Sequence, residues 1–385
     1  MKQGWEIKKL GEVCDIKTGR RDANHGNPNG KYHFFTCAKE HSYIDDYNFD
    51  TEAILVAGNG DVGAVKYFKG KFDAYQRVYV LHNFKEIVDI RLLFLLLDGK
   101  LKDVVSKQKL GNTMPYIKLG MLQDFQIPLP PLPDQQRIVT ILNKAFTAFA
   151  TAKENAQQNL LNAKELFESY LQNVFENKGE DWEEKEIKDL TELVTKGSSP
   201  KWQGVNYVDE GGIFFLTSKN VGEGELLLNN KKYLQEKFNE IQKTSILKKG
   251  DILTNIVGAS IGRTAIFNLD EITNINQAVC LMRCNSEKVY NYYLMYLLNS
   301  PFFKSILHDN EVDNARANLS LTFFKNLAIP LPNIKEQKII VENIKSFSAE
   351  TKKLEVIYQQ KINDLEELKK SVLEKAFKGE LKMVN

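Results

Sequence analysis

The chain contains the same long segment twice. DFQIPLPPLPDQQRIVTIL begins at Asp124 and NLAIPLPNIKEQKIIVENI at Asn326, 202 residues further on. In that register Ile127, Pro128, Leu129 and Pro130 fall on Ile329, Pro330, Leu331 and Pro332, and Gln135 falls on Gln337. The register continues without a gap, carrying Leu166, Ser169, Leu171 and Phe175 onto Leu368, Ser371, Leu373 and Phe377. Upstream the match loosens. EIKKLGEV at Glu6 parallels EIKDLTEL at Glu186, ILVAGNGDVG at Ile54 parallels ILTNIVGASIG at Ile252, and Gln76 before Val78 parallels Gln277 before Val279. A self-similar chain builds one unit twice, so whatever the first copy folds into the second must approximate.

Each copy reads as a mainly extended domain, then a proline stop, then a long helix. Prolines at 128, 130, 131 and 133, and at 330 and 332, hold the backbone extended and place helix starts near Asp134 and Glu336, where an acidic residue also suits the helix dipole. Apolar residues then recur at alternating spacings of four and three. They are Ile138, Leu142, Ala145, Phe149, Ala152, Ala156, Ala163, Leu166 and Tyr170, and in the second helix Ile340, Ile344, Phe347, Thr351, Leu354, Tyr358, Leu365, Leu368 and Val372. Connectivity makes the simplest pairing antiparallel, a rod about 65 Å long at 1.5 Å per residue with a β-rich domain at each end. The expected fold class is therefore α+β, with an internal pseudo-two-fold repeat. Two β-rich domains, residues 1–132 and 181–333, are separated by a long antiparallel two-helix coiled coil from residues 133–180 and 334–385.

The stretch ILVAGNGDVGAVKYF contains Gly58-x-Gly60-x-x-Gly63 after an apolar run, the opening of a dinucleotide-binding turn. The helix such a site needs is missing. Val65, Tyr67, Phe72, Ala74, Val78 and Val80 alternate as in strands, with a turn expected at Lys69-Gly70. The second copy, Val257-Gly258-Ala259-Ser260-Ile261-Gly262, keeps the turn and loses the spacing. These glycines are architecture, with Gly63 and Gly262 expected to supply positive φ or close backbone approach.

At 385 residues with 43% hydrophobic content, the chain suits two or more cores. No apolar run approaches the roughly 18 residues of a membrane span, and MKQGWEIKKL lacks the apolar centre of a signal peptide, which points to the cytoplasm. Cys14, Cys37, Cys280 and Cys284 form no disulfide framework and suit reduced thiols. His33, Cys37 and His41 share a spacing of four, but the stretch reads as extended and copy two has no counterpart ligands, so no metal site is expected. No phosphate-binding loop, amino-methyltransferase motif or nuclease motif is present, and no cofactor is expected. A net charge of +2 does not by itself announce a nucleic-acid partner.

The two IPLPPLPDQQRI-like stops, each leading into a long helix, together with Trp5, Leu10 and the Gly-Asp-Ile-Leu stretch at 250–253, resemble the specificity subunit of type I restriction-modification systems. The resemblance covers essentially the whole chain. It implies two target recognition domains, each reading one half of a split double-stranded DNA site, and conserved helical regions between them. It also implies methyltransferase subunits, two in number, and restriction/translocase subunits as partners that supply the chemistry, with this chain non-catalytic. Two departures concern the recognition domains: residues 49–55 read Phe-Asp-Thr-Glu-Ala-Ile-Leu where copy two has Gly-Asp-Ile-Leu, and Met114-Pro115-Tyr116 stands near the place of Ala317-Asn318-Leu319.

Direct base readout uses paired donors and acceptors presented from loops. Two matching loops supply them: Arg20, Arg21, Asn24, Asn27, Asn29 and Lys31 in the first copy, and Ser198, Ser199, Lys201, Trp202, Gln203 and Asn206 in the second. The loops before the proline stops add Lys107, Lys109, Thr113, Tyr116 and Lys118, then Arg316, Asn318 and Ser320, with the lysines suited to phosphates. Asn59, Ser260 and Arg263 extend the set from the glycine loops. The bland reading of all these is polar surface loop. Phe146, Leu160, Leu161, Phe167, Leu171 and Phe175 lie off the helical ladder and are candidates for binding a partner chain, against the alternative that their own domains bury them. Two other readings of the chain stand beside the DNA reader: a structural adaptor whose domains bind proteins, and a detached specificity module of a single-chain restriction-methylation enzyme.

Overall fold

The computed structural model describes residues 4–107, 116–309 and 319–381. The chain divides into two compact units, Met1–Gln157 with Gln359–Asn385, and Gln158–Tyr358.

In the first unit β1 (Glu6–Lys9) pairs antiparallel with β8 (Gln126–Leu129), Ile7 lying opposite Pro128. A ribbon of two strands is all edge, which is where a strand tolerates proline. The other strands are β2 (Asp15–Thr18), β3 (Tyr32–Phe35), β4 (Ser42–Ile44), β5 (Phe49–Ala57), β6 (Val65–Ala74) and β7 (Val78–His82). They form one sheet in the order β2-β7-β5-β6-β3-β4, antiparallel except for β3 beside β6. The turn expected at Lys69-Gly70 is absent, because β6 runs straight through it. Gly70 takes φ +131° opposite Thr51, and the chain reverses at Tyr75–Arg77 instead, where Val78 N donates to Tyr75 O.

A helix unforeseen in the mainly extended reading, α1 (Ile90–Lys107), lays Leu92, Leu93, Leu96, Leu97 and Leu101 against Ile54, Val56 and Leu81 of the sheet. Ile127, Ile138, Leu142 and Phe377 complete that core. A short α2 (Leu119–Gln123) leads into β8, and α3 (Leu132–Glu176) follows.

The second unit repeats this plan. β9 (Glu183–Glu186) pairs with β18 (Ala328–Leu331) as β1 does with β8. After α4 (Ile187–Leu190) come β10 (Thr191–Lys196), β11 (Tyr207–Val208), β12 (Ile213–Leu216), β13 (Tyr233–Leu234), α5 (Lys237–Ile241), β14 (Ile252–Asn255), β15 (Thr264–Ile266), β16 (Thr273–Ile275) and β17 (Val279–Cys284). They make two sheets, β10-β17-β14-β15 and β11-β13-β12-β16, with β12 and β16 parallel. Apart from the added two-residue β11, strand for strand this is the first unit with β6 cut in two. Residues 267–272 stand between β15 and β16, so the single sheet becomes a pair. Here α6 (Asn291–Asn299) and α7 (Pro301–Asp309) take the place of α1, α8 (Leu321–Asn326) that of α2, and α9 (Ile334–Lys378) follows β18.

The helices begin at Leu132 and Ile334, two residues ahead of the expected starts, and each is clasped to its own domain by the repeated glutamine. Gln135 accepts from Asp89 N (2.7 Å) and donates to the carbonyls of Ile87 and Pro130 (2.8 Å each). Gln337 accepts from Tyr290 N (2.7 Å) and donates to Pro332 O (2.8 Å) and Lys288 O (3.4 Å). Both are buried, which makes the amide, with its two donors and one acceptor in use, hard to replace.

In both units the helices pack antiparallel as expected. Lys153 meets Glu366 at 2.6 Å and Lys369 lies over the Phe146 ring in the first, and the tilted rings of Tyr170 and Phe347 meet at 4.3 Å between centroids in the second. The ladder itself needs correction. Leu166, Leu354 and Leu368 are exposed, whereas Ile362, outside the ladder, is buried, as are the expected Ala156, Ala163 and Thr351. A helix of 3.6 residues per turn drifts off a 3.5-residue repeat, and each helix also turns a second face to its domain.

Candidate nucleic-acid interface

In the first unit four segments converge at one end of the sheet. The chain leaves β2 at Gly19, where an added Cβ would lie 1.8 Å from Ala74 O, so only glycine lets the next loop cross there. Arg21 then joins the reversal after β6, with Gln76 N donating to Arg21 O (2.9 Å). The glycine loop closes on itself, Gly63 N to Ala57 O (2.8 Å) with Gly63 at φ +79°, and meets the same reversal through Gly58 N to Arg77 O (2.9 Å). Ile117 N donates to Gly58 O (2.9 Å), and Tyr79 Oη donates to Ile117 O (2.8 Å). A pocket of about 280 Å³ opens between Gly58, Gln76, Arg77, Tyr79 and Ile117. Next in sequence to these joined segments come Arg20, Asn59, Tyr116 and Lys118, with the Lys118 ammonium 5.9 Å from the Tyr116 ring.

The second unit builds the same frame from different side chains. Gly197 crosses against Ile275 O, 1.7 Å from an added Cβ, Ile256 N donates to Ala278 O (2.9 Å), and Leu319 N donates to Ile256 O (2.9 Å). Gly262 takes φ +83°. Asn255, fully buried where the first unit has Ala57, donates from Nδ2 to Ser218 O (2.9 Å) and Ser260 Oγ (3.1 Å), tying two loops of the cluster together.

The candidates thus separate. Arg20, Asn59, Tyr116 and Lys118 share the first cluster, and Ser198, Ser199, Ser260 and Arg263 belong to segments of the second. Arg21 is diverted inward: its Nε lies 3.3 Å from the fully buried carboxylate of Asp73 and its Nη2 3.7 Å from Asp46. Asn27 donates to Asp45 (2.9 Å) and accepts from Asn29 N (3.0 Å), bracing the start of the β3–β4 hairpin, so it and Lys31 sit at the opposite end of β3 from the cluster. Asn24 lies in an exposed turn before that hairpin.

Ser320 caps α8, accepting from Phe323 N (3.0 Å), a structural task that occupies its oxygen. Gln203 donates to Ser198 Oγ (2.9 Å), leaving Lys201 and Trp202 exposed on the same turn. Lys109, Thr113, Arg316, Asn318 and the side chain of Lys107 lie outside the described residues. Sequence reasoning overlooked Arg77 and Asn255. Gln76 was visible as a repeated position beside the reversal.

Among the partner-binding candidates, Leu171 and Phe175 are core residues of the second unit, and Phe167 and Phe146 pack half-buried against the cores of their units. Burial by their own domains removes Leu171 and Phe175 from any partner surface. Leu161 remains, 48% exposed, with Leu160 half-buried beside it.

His33 and His41 stand ring to ring at 4.6 Å, and burial, then the neighbouring His41, holds the His33 imidazole below its ordinary value. The Cys37 thiol donates to Arg77 O (3.4 Å), and among the described residues no three His, Cys, Asp or Glu side chains are arranged to hold a metal ion. Burial pushes the Cys14, Cys280 and Cys284 thiols up to about 12, and all four cysteines are free. Among the described residues no helix is long and apolar enough to cross a membrane.

Residues 2–163 and 179–367 match the family model described as "Type I restriction modification DNA specificity domain". The type I restriction enzyme EcoDI specificity subunit of Escherichia coli is 36% identical over 154 residues, 40% of this chain and 34% of that protein, so the match spans about a third of its length. The MjaVIII specificity subunit of Methanocaldococcus jannaschii is 28% identical over 311 residues, 76% of this chain and 71% of that one. A solved structure from work on complex assembly and conformational transition of the type I R-M system superposes with a TM-score of 0.78 at 19% identity, covering 99% of both chains.

Proposed function

The chain belongs to the type I restriction-modification DNA specificity family, and on that premise we propose that each β-rich domain reads one half of a bipartite, asymmetric DNA site through its loop cluster. The chain is a DNA-recognition specificity subunit and leaves the chemistry to its partners. Residues 1–132 and 181–333 are the two readers, and 133–180 and 334–385 hold two methyltransferase subunits and the restriction subunit, in the cytoplasm where the DNA is.

One observation carries the reading. The same loops are joined by the same backbone bonds in both copies, Ile117 N to Gly58 O and Leu319 N to Ile256 O, while the side chains at matching places differ. A constant frame with variable donors and acceptors is what two independent readers of different half-sites require. A pure protein adaptor has no need of it.

The test exchanges residues 182–325 for the equivalent region of a relative and sequences the methylome of a strain carrying the system. One half of the methylated motif changes and the other stays. A change in both halves, or in neither, refutes modular reading. With a net charge of +2 neutralising few phosphates, the isolated chain binds DNA weakly, and specific, salt-sensitive binding emerges with the methyltransferase present.

A further inference from the structure

Trp202 is the most exposed large apolar side chain among the described residues, at 75%. It is not on a loose loop. Its own N–H donates to Ser199 O (3.1 Å), Val205 N donates to Pro200 O (3.0 Å), and Pro200 and Val205 are both buried beneath the turn. Gln203 bridges back to Ser198 Oγ, and Gly204 closes the turn at φ +65°. The chain has therefore built a rigid pedestal and set an indole on top of it, facing water. Large apolar side chains held out in this way mark contact sites, and a braced one loses little freedom when it makes its contact.

Resting on the DNA-reading role above, we propose that Trp202 reads an A·T pair in the second half-site by covering the 5-methyl group of its thymine in the major groove. The chemistry of the turn selects this contact over insertion between base pairs. An intercalating wedge unstacks bases and is an apolar device. Trp202 has only Lys201 and Gln203 as immediate neighbours, a phosphate-seeking cation and a polar amide, which suit a side chain lying along a groove. The thymine methyl is the one apolar group that the major groove displays, so a lone aromatic ring has a single partner there. The equivalent turn of the first domain, leaving Gly19 as this one leaves Gly197, carries Arg20-Arg21-Asp22-Ala23-Asn24 and no aromatic residue. The methyl-reading contact belongs to the second domain alone.

The experiment uses the chain assembled with its methyltransferase and duplexes carrying the motif obtained from the methylome. Thymines of one half-site at a time are replaced by deoxyuridine, which removes the methyl and leaves pairing intact. The wild-type complex binds the duplex substituted in the second half about four-fold more weakly, the worth of one buried methyl. Trp202→Ala binds both duplexes equally, and Trp202→Phe keeps part of the difference. Base-pair changes elsewhere in the second half-site weaken binding of both variants as they weaken the wild type, which shows that the second domain remains folded. If Trp202→Ala keeps the full thymine-to-deoxyuridine ratio, or if the second half-site contains no A·T pair, Trp202 does not read a methyl. Indifference of the wild type to base changes in either half sinks the DNA-reading role itself, a result distinct from both.

Discussion

The buried carboxylate of Asp73 and its counterpart in the second unit make opposite demands on the same substitution. Asp73 Oδ2 accepts from Asn48 Nδ2 (2.6 Å) and Arg21 Nε (3.3 Å), and Oδ1 accepts from Ala74 N (2.8 Å). Asn274 occupies the matching place, taking Ile275 N on Oδ1 (2.8 Å) but donating from Nδ2 to Asn239 Oδ1 (2.7 Å) and Gln242 O (3.0 Å). The first pocket offers donors and needs an acceptor, and the second offers acceptors and needs a donor. Asp73→Asn turns an NH₂ toward two donors and removes a charge-assisted bond at a site with no solvent access. Bonds to charged groups contribute about 1.5–3 kcal/mol. Arg21 is one-third exposed and its bond is long, so a loss of about 2 kcal/mol is expected, or about 4–8 °C in the transition of a unit this size.

Asn48→Asp added to it restores an acceptor beside Arg21 and should recover at least half of that loss. Asn274→Asp sets a carboxylate against two acceptors with no cation, and should cost about 3 kcal/mol or more. Differential scanning calorimetry of the four proteins reads all of this. If Asp73→Asn is neutral, or Asn48→Asp deepens the loss, the complementarity argument is wrong.

Gln135→Ala and Gln337→Ala each leave three backbone partners of a buried amide unmet, the proline carbonyl among them buried, so each should lower the unfolding midpoint of its own unit by an amount equivalent to about 3 kcal/mol, measured by urea titration. Leu171→Ala, in the second core, should cost about 2–5 kcal/mol, while Leu161→Ala leaves the midpoint unchanged and weakens co-purification with the methyltransferase. His33 is held below its ordinary value near 6.5, so protons favour the unfolded chain. Stability is intact above that value and falls as pH drops through it, and His33→Phe should flatten the change between pH 7.5 and 5.5 followed by the same titration.

What the sequence made legible follows from the range of the interactions involved. The proline stops, the helix starts to within two residues and the positive φ of Gly63 and Gly262 are local matters of backbone geometry, and the repeat exposed them twice over. The helix α1 escaped because Leu92–Leu97 is an almost unbroken apolar run, whose period is invisible when both sides of the helix are covered. Arg21 and Asn27 looked like free donors because their acceptors, Asp73 and Asp45, lie 52 and 18 residues away, and nothing in the loop declares them. The loop cluster itself was only half visible. Its members could be guessed by composition, but the bonds that gather Gly58, Arg77 and Ile117 are backbone to backbone and leave no trace in residue type.

The division of the chain into its two units has a consequence for synthesis. The second unit, Gln158–Tyr358, is a single uninterrupted stretch, whereas the first is assembled from the opening 157 residues and from a segment that begins at Gln359. Phe377 and Ala376, both enclosed in the first core, emerge from the ribosome only after the whole second unit has been made. The domain that starts first therefore finishes last, waiting with an open seam along α3 while its neighbour closes, and its contacts with α9 have among the largest sequence separations in the molecule. A premature stop after Tyr358 would spare the second core entirely and leave the first permanently unfinished.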